Sequence, residues 1–235
     1  MSSNIPAIVF TDWDGTVTLQ DSNDYLTENL GFGRPKRLEV NDEILYGKKN
    51  VGLDSNSFPE CIDFLLKNIQ LDPGFKEFFQ WADSRGIPVV VVSSGMTPII
   101  HALLERLVGA EAVSKILIMS NDVKIDEAAG KWNIVYKHPE SGFGHDKSLS
   151  IKEYLTDKGF NESNMPPLFY CGDGVSDLSA AKETNLLFAK HGKDLIKYCR
   201  REDIPYTEFN DFAEILAKIK SIVDGGKSYK DYIEN

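Results

Sequence analysis

FTDWDGT, residues 10–16, starts on the last residue of the apolar run AIVF (7–10) and places Asp12 and Asp14 on either side of Trp13. Two like charges at the mouth of a buried strand repel unless a cation or a proton compensates them. A parallel α/β sheet presents such residues because its ligands bind beyond the carboxyl ends of its strands. If residues 5–11 are such a strand, others of the same kind should follow. They do: PVVVVS (88–93), LFYCG (168–172) and 186–189 are short and almost continuously apolar. That is the composition of strands covered on both faces. Helix-like patterns at 74–85, 97–107, 146–154 and 176–183 separate them. The alternation predicts a doubly wound (Rossmann-like) α/β core.

The interval 21–72 breaks the alternation. It reads as helices at about 22–30, 35–46 and 57–69 with no good strand, and the core pattern resumes at DPGFKEF, where Asp72 is placed to cap a helix. The expected organisation is a core of residues 1–21 and 73–235 with a small helical insertion, 22–72, after the first strand. Residues 116–136 read as a hairpin or edge-strand excursion, and GGKSYKDYIEN (225–235) as a polar tail.

The chain has 235 residues, 42% of them hydrophobic, and a net charge of -10. An acidic surface argues against nucleic acid or an anionic membrane as main partner. A cation inside one cleft can still draw in a small anionic substrate. The cysteines, Cys61, Cys171 and Cys199, are three, scattered and not in CxxC spacing. This disfavours a disulfide scaffold or a zinc site and makes a reduced compartment, the cytoplasm or the nucleus, the expectation. The apolar run near the N-terminus is too short for a signal peptide or a span. No protein partner can be inferred.

Residues at strand ends and helix starts form a consistent set. Asp12 and Asp14 follow the first strand; Ser93, Ser94 and Gly95 end the second; Lys147 begins a helix; Asp173 and Asp177 lie in GDGVSD. Singly, each has an ordinary explanation: a turn, an N-cap or a solvated lysine. Together they suit phosphoryl transfer. Mg²⁺ takes hard oxygen ligands, which Asp12 and Asp173 supply. One carboxylate can attack phosphorus, a second can act as acid and then base, and a hydroxyl, backbone N–H groups and a lysine can hold the phosphate.

DWDGT, VVVVSSG, Lys147 and CGDGVSD resemble, in order, the four motifs of the haloacid dehalogenase superfamily, and the insertion resembles a C1-type cap. The chain is similar to the phosphoserine phosphatase branch. Over TVTLQDSNDYL, GKDL and CGDGVSDLSAAKET it looks closest to fungal cytosolic phosphatases of polyol phosphates. The resemblance implies a Mg²⁺-dependent phosphomonoesterase working through an aspartyl-phosphate. Asp12 would be the nucleophile and Asp14 the general acid/base, its main-chain carbonyl also on the metal. Asp173 would be a direct metal ligand and Asp177 a ligand or outer partner. Ser93, Ser94 and Lys147 would bind phosphate, and Asp21 would contact substrate or else cap the helix that follows it. No cap arginine stands where phosphoserine phosphatases bind the substrate carboxylate, because the insertion holds only Arg34 and Arg37, which read as surface residues. A polyol phosphate, such as ribitol 5-phosphate or sorbitol 6-phosphate, suits this better than phosphoserine. Phosphoserine, a sugar phosphate or a phosphomutase reaction are the alternatives. A receiver-type phosphoacceptor fits poorly, since PVVVVS offers no aspartate, and no GxGxxG follows the first strand to bind a dinucleotide. His138 and His145, near Lys147, find no triad or zinc partners and read as structural or outer-lying.

Overall fold

The structure, a computed structural model, describes residues 5–40, 56–126, 128, 131–141 and 144–234. Its central element is β1 (Ile8–Thr11), all four residues of which are fully buried. β1 runs parallel to β2 (Val89–Met96) on one side and to β5 (Leu168–Gly172) on the other, with Val9 opposite both Val89 and Phe169. β6 (Leu186–Lys190) and the three-residue β7 (Thr207–Phe209) extend the sheet beyond β5. β3 (Leu117–Asp126) lies outside β2, and β4 (Lys131–Val135) pairs antiparallel with it at the edge. Among the described residues the order is β4-β3-β2-β1-β5-β6-β7.

Successive strand side chains point to opposite faces, and each face has its own helices. Val9, Val89, Val91, Phe169 and Phe188 pack with α4 (Phe75–Ser84), α5 (Thr97–Leu107), α6 (Ala110–Lys115) and α10 (Phe212–Val223). Ile8, Phe10, Val90, Val92, Tyr170 and Leu187 pack with α7 (Lys147–Asp157) and α9 (Asp194–Glu202). Phe75, Phe78 and Phe212 are 0% exposed and meet ring to ring at 4.9–6.2 Å. Each such burial is worth roughly 1.5–3 kcal/mol.

Between β1 and β2 lie α1 (Ser22–Asn29), α2 (Arg34–Glu39) and α3 (Phe58–Asn68). The expected helix at 35–46 is described only as far as Glu39; the end of that expectation lies outside the described residues. Leu26, Phe58, Cys61 and Leu65 join these helices to the core apolar cluster. Where the chain leaves and re-enters the sheet the two strands of chain are zipped together: Leu19 donates to the Gln70 carbonyl and Asp72 to that of Val17, at 2.9 and 2.8 Å. Asp72 does not cap the next helix as expected, because the N-cap is Gly74 and has no side-chain cap; its carboxylate instead accepts from the Gly74 N–H in the turn before that helix and from Phe212 at the start of α10. It also holds the Lys190 ammonium at 2.8 Å.

The C-terminal stretch differs from the expected polar tail. Tyr229, Tyr232 and Ile233 pack on the core, and Glu234 bridges Tyr206 and accepts from the Glu208 N–H beside β7. Its apolar residues are too few and too spaced to show periodicity, so only the contact with a distant edge strand gives it order. The edge strand β7 gains cover in return. The 176–183 helix is likewise shorter: a 3₁₀ turn, Val175–Asp177, leads into α8 (Leu178–Ala181).

Candidate active site

The carboxyl ends of β1, β2 and β5 open on one rim, and the loop after each carries polar residues. After β1 the chain turns at Gly15, whose φ is 75°. A Cβ there would lie 2.3 Å from Asp173 Oδ2, so only glycine lets the β1 loop approach the β5 loop this closely. Asp12 and Asp14 are each 7% exposed.

Lys147 links the loops. It is the first residue of α7, it is 1% exposed, and its Nζ lies 2.9 Å from Asp12 Oδ1 and 2.6 Å from Asp177 Oδ1. Burial works against its charge, but Asp12 and Asp177 outweigh that and hold the ammonium above its ordinary range. Asp177 has no free oxygen direction. Its Oδ1 also accepts from Tyr170 Oη at 2.6 Å, and its Oδ2 accepts the Asp173 and Gly174 N–H groups, both at 2.9 Å. Asp177 therefore shapes the loop and fixes Lys147. Asp173 is half-buried at the rim, with Lys193 Nζ 3.4 Å from its Oδ2.

Asp14 points elsewhere. Its Oδ1 accepts the N–H of Ser22, the first residue of α1, at 2.8 Å. Its Oδ2 faces the end of β2, where a Cβ on Gly95 would lie 3.0 Å from it and 3.2 Å from Ser93 Oγ. Ser93 is 1% exposed and its Oγ accepts the Gly95 N–H. Ser93 does not cap α5, whose N-cap is Met96 and has no side-chain cap. Ser94 Oγ is buried without a hydrogen-bond partner among the described residues.

Burial, opposed by Lys147 and assisted by Asp177 and Asp173, lifts the Asp12 carboxyl from 3.8 to about 8. Burial, then Asp177, against Lys193, lifts Asp173 to about 6. Burial and the nearby Asp21 hold Asp14 well above the ordinary carboxylate range. These groups resist ionising together, so a cation suits them. Oxygens of Asp12, Asp173 and Asp177 lie within 4.8 Å of one another. An all-oxygen donor set suits a hard divalent ion such as Mg²⁺. Asp177 already accepts four hydrogen bonds, which leaves Asp12 and Asp173 as the more open carboxylates of the three.

At the cleft mouth Asp21 is exposed and caps α1, accepting the Asp24 N–H at 2.8 Å. Arg34 is a surface residue, 3.8 Å from Glu28. Arg37 is not: its side chain is 12% exposed, and it pairs with Asp24 at 2.9 Å and Glu28 at 2.7 Å. The surface reading fails for Arg37 because its partners lie on α1, a contact made only when the two helices pack. His138 and His145 stack, with centroids 5.2 Å apart, behind Ser93. Sequence reasoning misses Tyr170 and Lys193. The signal for Tyr170 is a polar-tipped side chain inside a strand apolar on both faces. The signal for Lys193 is a cation near the end of a strand on the site's rim.

Residues 9–182 match the haloacid dehalogenase-like hydrolase family. The chain is 53% identical to a polyol phosphate phosphatase of Saccharomyces cerevisiae, over 98% of this chain and 100% of that one. It is 52% identical to Pdp3-interacting factor 1 of Schizosaccharomyces pombe, over 91% and 95%. A solved substrate-bound phosphoserine phosphatase shares its fold at a TM-score of 0.65 and 21% identity, covering 90% of this chain and 97% of that one. Among the described residues no helix is long and apolar enough to cross a membrane. The chain belongs to the haloacid dehalogenase-like hydrolases.

Proposed function

We propose that this protein is a Mg²⁺-dependent phosphomonoesterase of small phosphorylated polyols. The observation that carries the chemistry is the arrangement of two aspartates in one loop with opposite attachments. Asp12 is held by Lys147. Asp14 is held by the Ser22 N–H, with its other oxygen toward Ser93 and Gly95. An Asp12 oxygen attacks phosphorus, and the bond to the ester oxygen breaks. Asp14, kept protonated by burial, gives its proton to that oxygen, and the alcohol leaves. Water then attacks the aspartyl-phosphate, Asp14 takes its proton, and the P–O bond to Asp12 breaks, regenerating the carboxylate. Lys147, Ser93 and the Ser94 N–H hold the phosphate oxygens. Asp12, Asp173 and the Asp14 main-chain carbonyl would hold Mg²⁺, which supplies charge neutralisation of the transferring group. Residues 22–72 act as a cap that excludes water.

The substrate class rests on the cap and on the relative from Saccharomyces cerevisiae, a polyol phosphate phosphatase by name. Arg37 is committed to Asp24 and Glu28. It is therefore a poor partner for a substrate carboxylate, whereas Asp21 at the mouth can accept hydroxyl hydrogen bonds. Phosphate release from ribitol 5-phosphate, sorbitol 6-phosphate, a hexose phosphate and phosphoserine tests this. The polyol phosphates should give the highest kcat/KM with Mg²⁺ and nothing after EDTA. A clear preference for phosphoserine would refute the substrate assignment.

A further inference from the structure

Ser93, Ser94 and Gly95 sit where β2 stops behaving as a strand. Pairing with β1 ends at Val91, and the register with β3 shifts between Val92 and Met96. Backbone carbonyls released from a ladder inside a protein need other donors. Asn121 supplies one, its Nδ2 donating to the Ser94 carbonyl at 2.8 Å. The Ser93 carbonyl is met by His145 Nδ1 at 2.6 Å. His145 is 1% exposed, and its Nε2 lies 2.6 Å from Ser150 Oγ. A carbonyl can only accept, so Nδ1 carries a hydrogen. Burial and then Lys147 push the ring down to about 3, which favours its neutral form. In that form Nε2 is bare and accepts from the serine hydroxyl.

The ring joins two parts of the site. Ser93 is in the β2 loop. Ser150 is in the first turn of α7, whose first residue is Lys147. The His138 ring stacks on His145 from outside, and its Nδ1 accepts the Asp146 N–H at 3.1 Å, so the approach to α7 is held as well.

We propose that His145 is a positioning residue for phosphate binding: a neutral imidazole that splints the end of β2 to the first turn of α7 and so sets the spacing of Ser93 and Lys147. The proposal rests on the reading of Ser93 and Lys147 as the phosphate-binding pair. His145 touches neither substrate nor reacting atoms. Its effect should appear in binding of the phosphoryl group and not only in protein yield.

The test uses p-nitrophenyl phosphate as substrate, inorganic phosphate as inhibitor and two-bond ¹H–¹⁵N spectra of the histidine rings. The His145 ring, assigned by its loss in His145→Asn, should show Nδ1 protonated and Nε2 bare, unchanged between pH 5 and 8. His145→Phe keeps the ring volume and removes both hydrogen bonds. It should raise KM and the inhibition constant for phosphate together, each about tenfold. His145→Asn, whose amide nitrogen can stand near Nδ1, should recover most of that loss. A fold defect alone would lower kcat per milligram and leave both constants unchanged. Adding Ser93→Ala to His145→Phe should cost much less than the product of the two single effects. If the Phe variant does not fold, His145→Ala takes its place in the same comparison, with His145→Asn again as the rescue. The proposal is overturned if the ring is protonated at Nε2. It is overturned equally if the His145 variants keep wild-type KM and inhibition constant while Ser93→Ala loses both. Unchanged constants in Ser93→Ala would instead overturn the phosphate-site reading, and this proposal with it.

Discussion

Replacing Asp12 with asparagine should stabilise the metal-free protein at alkaline pH while abolishing turnover. Asp12 is 7% exposed and its carboxyl titrates near 8 in the fold, against an ordinary 3.8. A folded value above the unfolded one means that the folded state binds the proton more tightly. The stability from this group is complete below about 4 and is lost as pH rises through about 8. The difference between the two values sets a ceiling of about 6 kcal/mol on that loss. Relaxation and water entry around an ionised carboxylate reduce it, and about 1–3 kcal/mol is expected. The asparagine side chain has no charge to lose. Lys147 stays paired in the variant, because Asp177 lies 2.6 Å from its Nζ. Thermal unfolding in EDTA at pH 5 and pH 8.5 reads the effect. The Tm of Asp12→Asn relative to wild type should rise between those pH values by roughly 3–10 °C for a chain of this size. Saturating Mg²⁺ should then favour the wild type by mass action. A variant less stable than wild type in EDTA at pH 8.5, a Tm difference independent of pH, or retained phosphate release would each refute the reasoning.

Asp14→Asn should lower kcat by about 10²–10⁴ with little change in KM, since a lost proton donor and acceptor affects the chemical steps; steady-state kinetics decides it. Tyr170→Phe removes a 2.6 Å hydrogen bond to the Asp177 carboxylate. It should destabilise the fold by about 1.5–3 kcal/mol in urea unfolding and raise the Mg²⁺ concentration for half activity, because Asp177 orients the loop that carries Asp173. Lys190→Met leaves the buried Asp72 carboxylate without its cation and should cost about 3–5 kcal/mol, part of it recovered when Asp72→Asn is added. No recovery in the double variant would mean that the pair is not what holds the chain where it re-enters the sheet.

The readability of the fold differs by element, and burial explains why. β1, β2 and β5 are covered on both faces, so their sequences are almost unbroken apolar runs with sharp ends. β7 has three residues, and its partners are β6 and Glu234, so nothing local marks it. α9 is legible in its sequence as well, because Leu195, Ile196 and Cys199 stand at helical spacing among Lys and Arg, and that stripe is the face it lays on the sheet.

The same division runs through the site. The acidic pair in FTDWDGT, the serines after VVVV and the aspartates of GDGVSD were legible in the sequence. Their types and their places at strand ends are local facts, and parallel-sheet topology carries such ends to one rim. Their attachments were not legible. That Asp12 faces Lys147 and Asp14 faces Ser22 follows from where α1 and α7 pack. Saturation of Asp177 depends on Tyr170 and two N–H groups of a folded loop. Arg37 becomes a buried ion-pair partner only when α1 and α2 meet. The role of His145 depends on a carbonyl 52 residues away that the sheet leaves unpaired. Residue type and order determine which chemistry is present. Which atoms are free to perform it is decided by desolvation and hydrogen-bond satisfaction, and those exist only once distant parts of the chain have packed.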